Sequence, residues 1–179
     1  MVLVLAIGDL HIPDRAADIP SKFRKLLARN LCDNATFEYL RTVSTNLHIS
    51  KGDCDYESRS WPQSKVITHG PIRIGVTHGH HLVPTNGDVD TLASVARQMN
   101  VDILLTGHTH RFEAYEDQGR FYINPGSATG SYSPYEPRPV PSFVLMDIQG
   151  TKAIIYVYQL IDNEVKVDRI EYQKGASLP

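Results

Sequence analysis

Four short apolar runs along the chain each end in a cluster of Gly, Asp and His. Runs of this length, rich in Val, Leu and Ile, are typical of buried strands, and the glycine that follows indicates a loop. In open α/β sheets the carboxyl ends of such strands are where ligands bind. The runs are residues 2–7 before Gly8-Asp9-Leu10-His11, residues 47–49 before Gly52-Asp53, residues 72–76 before His78-Gly79-His80-His81, and residues 101–105 before Thr106-Gly107-His108-Thr109-His110.

Other segments carry apolar residues three and four positions apart, which predicts helices. The predicted helices cover residues 22–28, 36–43 and 91–99. Residues 65–68 and 72–77 form a predicted hairpin around His69-Gly70-Pro71. Further strands are expected at residues 111–115, 120–123, 142–147, 153–160 and 165–170. Turn residues between the last three favour an antiparallel meander.

The first two predicted helices lie unusually close together in the sequence. A doubly wound sheet places a strand between consecutive helices, yet none is visible between Ala28 and Asn30. Losing a central strand would cost more than the roughly 5–15 kcal/mol of net stability that a domain has. We therefore infer that the residues of this strand are missing from the sequence, rather than that the fold tolerates the loss of the strand.

Composition is that of one ordinary globular domain. The 179 residues are 41% hydrophobic and 21% charged, which predicts a single domain over residues 1–174 and a frayed tail over 175–179. The net charge of −2 favours neither nucleic acid nor an anionic membrane as a partner. The N-terminal run is too short to span or insert into a membrane. Cys32 and Cys54 form no disulfide framework, so a cytoplasmic, reducing compartment is expected.

The ends of the four runs supply carboxylates and imidazoles, the ligands that suit Zn, Mn or Fe. His108 and His110 lie two residues apart, so their rings point to the same side if the backbone is extended. Such histidines can also be solvated loop residues. Four such ends in this order favour a metal site instead.

This series of motifs resembles the calcineurin-like metallophosphoesterase superfamily. The resemblance implies an α/β fold, a four-layer αββα sandwich of two mixed sheets flanked by helices, with a dimetal centre at the strand ends. Within the superfamily, the chain resembles the metallophosphoesterase-fold subunit family of retromer. The motifs that carry this closer similarity are Gly8-Asp9-Leu10-His11-Ile12-Pro13, Asn30-Leu31-Cys32, residues 124–130, residues 141–148, residues 156–160 and residues 165–172.

The resemblance also implies the metal ligands. Asp9, His11 and His110 would hold one divalent metal, and Asp53, His78 and His108 the other. Asn30 stands where active enzymes have a bridging aspartate, and Cys54 stands where they have a histidine. A neutral amide does not offset the repulsion between two dications, and a thiol is a poor substitute for a protonated imidazole. We therefore expect Zn or Mn to bind weakly or not at all, and catalysis to be weak.

By the same resemblance, the chain is expected to be a non-catalytic scaffold of retromer in endosomal retrograde transport, cytoplasmic and peripheral on endosomal membranes. An α-solenoid retromer subunit would cover the metal face and contact Leu82 and Val83. Regulators of endosomal sorting would bind a second apolar surface. The residues that match this surface are Leu3, Leu26, Leu145, Tyr156, Tyr158 and Val167. The alternatives are a weak metal-dependent phosphoesterase and, for the two tyrosines, a place in the core.

Overall fold

The computed structural model describes residues 1–23, 46–55 and 60–175. Within these residues it contains nine strands and one complete helix. In chain order they are β1 (Val2–Ala6), β2 (Ser64–His69), β3 (Ile72–Thr77), helix α1 (Val89–Met99), β4 (Ile103–Leu105), β5 (Phe112–Asp117), β6 (Arg120–Pro125), β7 (Ser142–Gln149), β8 (Lys152–Ile161) and β9 (Glu164–Gln173). Residues 21–23 are also helical.

The strands form two sheets. The first has the order β1-β7-β8-β9, and all its pairs are antiparallel among the described residues. The second has the order β2-β3-β4-β6-β5. Its three central strands, β3, β4 and β6, are parallel, whereas both edge strands run antiparallel to their neighbours. The carboxyl ends of the three parallel strands therefore lie side by side.

The main core lies between the two sheets. Strands β3, β4 and β6 each contribute alternate side chains to it, as a strand buried on one face must. Opposite them, β7 and β8 contribute Val144, Met146 and Ile155, all fully buried. The predicted meander of residues 142–170 is confirmed as strands β7, β8 and β9, and the inner face of these strands forms one side of the core.

Helix α1 covers the outer face of the second sheet. Its first turn is capped by Asp88, whose carboxylate accepts a hydrogen bond from the Thr91 backbone N–H at 3.0 Å. Leu92 and Ala96 pack on Leu104 and other residues of the sheet. The approach is close, because a Cβ placed on Gly75 would lie 3.0 Å from Met99 Cε.

Residues 10–23 cover part of the outer face of the first sheet. Phe23 meets the ring of Phe143 edge-on, with centroids 4.8 Å apart, and Ile19 is buried beside them. Layers of chain thus lie outside both sheets, in agreement with the predicted sandwich. No helix among the described residues is long and apolar enough to cross a membrane.

One predicted strand is wrong. Residues 47–49 are irregular, and among the described residues β1 pairs only with β7. A strand exists only through hydrogen bonds to a neighbour, and residues 47–49 have no such ladder. The predicted helix over residues 36–43, most of the one over 22–28, and the gap between Ala28 and Asn30 lie outside the described residues.

Candidate metal centre and its surroundings

The motifs at the ends of β1, β3, β4 and β6 meet at one edge of the sandwich. Backbone hydrogen bonds tie their loops together. The Gly107 N–H donates to the His78 carbonyl at 3.0 Å, and the Ala128 N–H donates to the Gly8 carbonyl at 3.2 Å. These loops form one surface that carries Asp9, His11, His78, His108 and His110, and Asp53 joins it from the irregular segment after residues 47–49.

Two groups of three side chains form on this surface. In each group one ligand atom from every residue lies within 4.8 Å of the others. These are the same two triads that the resemblance implies. The first is Asp9, His11 and His110, and the second is Asp53, His78 and His108.

The first triad is the more buried. His11 Nε2 lies 3.0 Å from His110 Nε2, and Asp9 Oδ1 lies 3.8 Å from His110 Nε2. The Asp9 side chain is only 1% exposed. Asp9 and His11 both have left-handed backbone angles, with φ values of 50° and 47°. Non-glycine residues adopt this region only where the surroundings enforce it, which is common at functional sites.

The second triad is more open. Asp53 faces both of its histidines, with Oδ1 3.8 Å from His78 Nδ1 and Oδ2 3.8 Å from His108 Nδ1. The Asp53 side chain is 43% exposed. This triad therefore has access to solvent.

Asp9 also touches the second triad. Its Oδ1 lies 3.1 Å from His78 Nε2, and its Oδ2 accepts a hydrogen bond from the His108 N–H at 3.0 Å. Gly107 permits this approach, since a Cβ there would lie 3.1 Å from Asp9 Oδ2. Asp9 is thus a carboxylate shared by the two groups.

The protonation of the histidines suits metal binding. Burial lowers the pKa of His11, and the neighbouring His110 and Arg15 lower it further. Burial and His78 lower the pKa of His108. Both rings are therefore neutral near pH 7, and a neutral imidazole nitrogen is what a metal ion requires.

His78 behaves differently. Burial alone would lower its pKa, but the hydrogen bond and the charge of Asp9, together with Asp53, raise it above its ordinary value. Burial alone would raise the pKa of Asp53, but His78 and the Asp53 backbone amide lower it. His78 therefore keeps its proton to higher pH than His11 and His108 do, and a metal ion that binds His78 would have to displace it.

His110 has the surroundings of a metal ligand. Its Nδ1 lies 2.5 Å from the carbonyl oxygen of Ser131, so this nitrogen is the donor. Nε2 then presents a lone pair to His11 and Asp9. Histidine ligands usually donate their second ring N–H in this way. Two imidazoles and one carboxylate in each triad suit zinc or manganese, so the residues fit a divalent metal.

Cys54 follows Asp53 and is partly buried. Burial and the charge of Asp53 raise the pKa of its thiol. The thiol is therefore neutral at pH 7 and cannot supply the positive charge that a phosphate clamp needs. Asn30, the expected bridging position, lies outside the described residues.

The residues expected to bind partners are distributed over two surfaces. On the loop after His78, Val83 is 85% exposed. Leu82 instead packs against the buried side chains between helix α1 and the second sheet. On the outer face of the first sheet, Leu145 pairs with Tyr156. Leu3 and Val167 extend this face on either side, exposed by 61% and 49%. We call Leu3, Leu145, Tyr156 and Val167 the sheet patch.

Tyr158 lies at the covered end of that face. Its ring stacks on Phe143 with centroids 4.6 Å apart and planes 5° from parallel. It therefore contributes to the packing under residues 10–23, the alternative that the sequence left open. Leu26 lies outside the described residues.

Several residues near the site were not anticipated. His80 Nδ1 lies 3.0 Å from His78 Nδ1, and the Tyr135 ring lies 5.4 Å from that of His108. Ser127, Thr129 and Ser131 reach the Asp9 loop through hydroxyl groups. The available signal was the motif over residues 124–130, which carried the resemblance without a role for these hydroxyl groups.

Comparison with known proteins gives a consistent result. The family model described as the calcineurin-like phosphoesterase superfamily domain matches residues 2–151. Vacuolar protein sorting-associated protein 29 of Schizosaccharomyces pombe is 45% identical, over 97% of this chain and 99% of its own length.

Two solved structures are also similar. One is Chaetomium thermophilum Vps29 complexed with a cyclic peptide, with a TM-score of 0.82 and 43% identity over 97% of this chain and 98% of its own. The other is wild-type Vps29 of Entamoeba histolytica complexed with Zn²⁺. Its TM-score is 0.86, with 44% identity over 95% of this chain and 99% of its own.

Proposed function

This chain belongs to the calcineurin-like phosphoesterase superfamily and, within it, to the Vps29 family, and on that premise we propose that it is a non-catalytic scaffold subunit of retromer. The observation that carries the proposal is the 45% identity to a vacuolar protein sorting protein over 97% of the chain. Retromer acts in endosomal retrograde transport, so the chain would work in the cytoplasm, peripheral to endosomal membranes.

The metal face would receive the α-solenoid subunit of retromer. Val83 supports this proposal because it is an almost fully exposed apolar side chain close in sequence to the ligand His78. Burying exposed apolar area of this kind is a main source of binding free energy. The sheet patch is a second apolar surface, and it would bind regulators of endosomal sorting.

The residues of the two triads would hold divalent metal, with zinc favoured by the zinc complex of the E. histolytica relative. A bound ion would supply Lewis acidity there. Cys54 offers only a neutral thiol, and Asn30 offers no bridging charge. Because these two residues do not support catalysis, the role that we propose for the metal is to stabilise the loops that form the docking face.

The docking proposal is tested with Val83→Asp. Binding of the retromer α-solenoid subunit from the same organism is measured by calorimetry. Val83→Asp should weaken binding at least tenfold. Val66→Asp, on edge strand β2, is the matched control and should bind normally, since Val66 is also exposed but lies away from the metal face. Equal affinities of both variants and the wild type would contradict docking at Val83.

A second function, weak metal-dependent phosphoesterase activity, is favoured by the convergence of both triads. It is tested by hydrolysis of an aryl phosphate with saturating Mn²⁺ or Zn²⁺. The scaffold proposal expects no turnover by the wild type and a gain with Asn30→Asp combined with Cys54→His. Robust wild-type turnover that is lost in His110→Ala would establish an enzyme instead.

A further inference from the structure

The first triad depends on an unusual backbone turn. Asp9 and His11 both have positive φ angles, and neither is a glycine. Such angles are strained and persist only when neighbouring groups hold them in place. The groups that hold this turn matter for the triad, because the geometry of the turn sets where the Asp9 carboxylate and the His11 ring point.

Three hydroxyl groups hold it. Ser127 Oγ donates to the Asp9 carbonyl at 2.7 Å, and Thr129 Oγ1 donates to the Leu10 carbonyl at 2.8 Å. Ser131 Oγ lies 2.6 Å from Thr129 Oγ1 and 3.2 Å from the same Leu10 carbonyl oxygen, so both oxygens are within reach of its hydroxyl group. We call Ser127, Thr129 and Ser131 the hydroxyl ladder.

The ladder has its own support. The Ser131 N–H donates to Ser127 Oγ at 2.9 Å, and the Ser127 carbonyl accepts from the Ser142 N–H at 2.9 Å. Ser127 is fully buried and Ser131 is 3% exposed. Hydrogen bonds in such surroundings define positions more strictly than exposed ones, since water offers no alternative partner.

The ladder also reaches the other side of the triad. Ser131, which contacts Leu10 through its hydroxyl group, accepts the His110 Nδ1 proton through its carbonyl oxygen at 2.5 Å. The same short segment therefore fixes the turn that carries Asp9 and His11 and selects the tautomer of His110. Thr129 occupies the centre, with contacts to Ser127, Ser131 and Leu10.

We infer that Thr129 is a positioning residue for metal binding: its hydroxyl group, set between Ser127 and Ser131, fixes the strained Asp9–His11 turn against His110. This inference rests on the proposal that the triads bind metal. The competing interpretation is that the ladder only contributes to folding and leaves the ligands where they are.

The experiment compares Thr129→Val, which keeps the branched shape but removes the hydroxyl group, with Thr129→Ser, which restores it. Thr68→Val is the control, because Thr68 lies exposed on β2, away from the site. Three quantities are measured on each full-length protein: the melting temperature without metal, the Zn²⁺ dissociation constant by competition with a chelator, and the His110 tautomer by long-range ¹H–¹⁵N NMR.

We expect Thr129→Val to bind Zn²⁺ about tenfold more weakly, the lower end of the effect of losing an outer partner of a metal ligand. Thr129→Ser and Thr68→Val should match the wild type. The metal-free wild type should show His110 protonated at Nδ1, and Thr129→Val should show a mixture of tautomers.

The outcomes separate the interpretations. A lower melting temperature in Thr129→Val with unchanged Zn²⁺ affinity and an unchanged tautomer would overturn the inference and leave the ladder a folding element. If the wild type takes up no Zn²⁺, the proposed metal binding fails, and with it the metal-binding part of the inference. The tautomer comparison then still decides whether Thr129 positions His110.

Discussion

The carboxylate of Asp9 lies 3.1 Å from Nε2 of His78, although the two residues belong to different triads. Asp9 is also 3.8 Å from His110 Nε2. One buried negative charge therefore serves both groups. A shared carboxylate also couples the two groups, so a change at Asp9 should be felt at both.

Asp9→Asn should weaken zinc binding at both groups. The neutral amide leaves neither His78 nor His110 with the buried negative charge. We expect the loss of affinity to exceed the roughly 10–100-fold that changes around metal ligands cause. Calorimetric titration with Zn²⁺ measures both stoichiometry and affinity. Asp53→Asn is the matched control, because Asp53 lies in the second triad only and its loss should leave one binding event. Two unaltered binding events in Asp9→Asn would contradict a shared role.

Zinc uptake should release protons near pH 7, and fewer at higher pH. Asp9 and Asp53 raise the pKa of His78 despite its burial, whereas burial lowers the pKa values of His11 and His108. His78 therefore keeps its proton to higher pH than the other two rings, and we assign the displaced proton to it. Calorimetry in two buffers of different ionisation enthalpy gives the number of protons released. Proton release that stays constant as the pH is raised stepwise from about 7 would contradict this assignment.

The same shift predicts a stability trend for the metal-free protein. Because the folded pKa of His78 is raised, its contribution to stability is fully present below the unfolded value of about 6.5 and is lost as pH rises through the folded value. Urea unfolding of the wild type and His78→Gln at a series of pH values isolates this contribution. The stability difference between the two proteins should shrink as pH rises. A difference that grows would contradict the predicted sign.

Gly126→Ala should destabilise the protein more than Gly119→Ala. Both glycines have left-handed angles, with φ values of 74° and 71°, so each substitution costs about 1–2 kcal/mol of backbone strain. At Gly126 the new Cβ would also lie 2.3 Å from Ser142 Oγ, whereas at Gly119 nothing lies within 4 Å. The clash should add about 1–3 kcal/mol. Chemical denaturation measures both variants, and equal losses would show that the turn can shift at no cost.

Phe143→Ala should cost about 3–5 kcal/mol of unfolding free energy, the usual loss for a buried phenylalanine. Its ring contacts both Phe23 and Tyr158 under residues 10–23. Leu3→Ala is the matched control on the same face of the sheet. Leu3 is 61% exposed, so its removal should change stability by less than about 0.5 kcal/mol. A comparable loss in both variants would mean that Leu3 is covered.

The prediction of residues 47–49 as a strand shows a limit of local pattern. Leu47, His48 and Ile49 have the composition of a strand, yet both ring nitrogens of His48 are buried without a hydrogen-bond partner and no ladder forms. Composition reports what a residue prefers. Whether a neighbour is available to pair with it depends on the rest of the sheet.

The tyrosines of β8 show a similar limit. Tyr156 and Tyr158 alternate onto the same face of the strand, as the sequence predicts. Only the structure shows that Tyr158 stacks on Phe143 while Tyr156 stands beside Leu145 in the sheet patch. Residues 10–23 cover one end of that face. The alternation of side chains along β8 does not predict which part of the face a distant segment will cover.

The sequence by itself determined three of the four strand ends, their order along the chain and the types of side chain that they carry, because strand periodicity and loop signals depend on neighbouring residues. Tertiary structure decided that Asp9 meets His78, that His110 donates to Ser131, and that three hydroxyl groups hold the Asp9–His11 turn. Several of these contacts join residues about a hundred positions apart, such as His11 with His110 and Asp9 with Ser127. Their geometry follows from how two sheets pack and where their edges coincide, and that is a property of the whole folded chain.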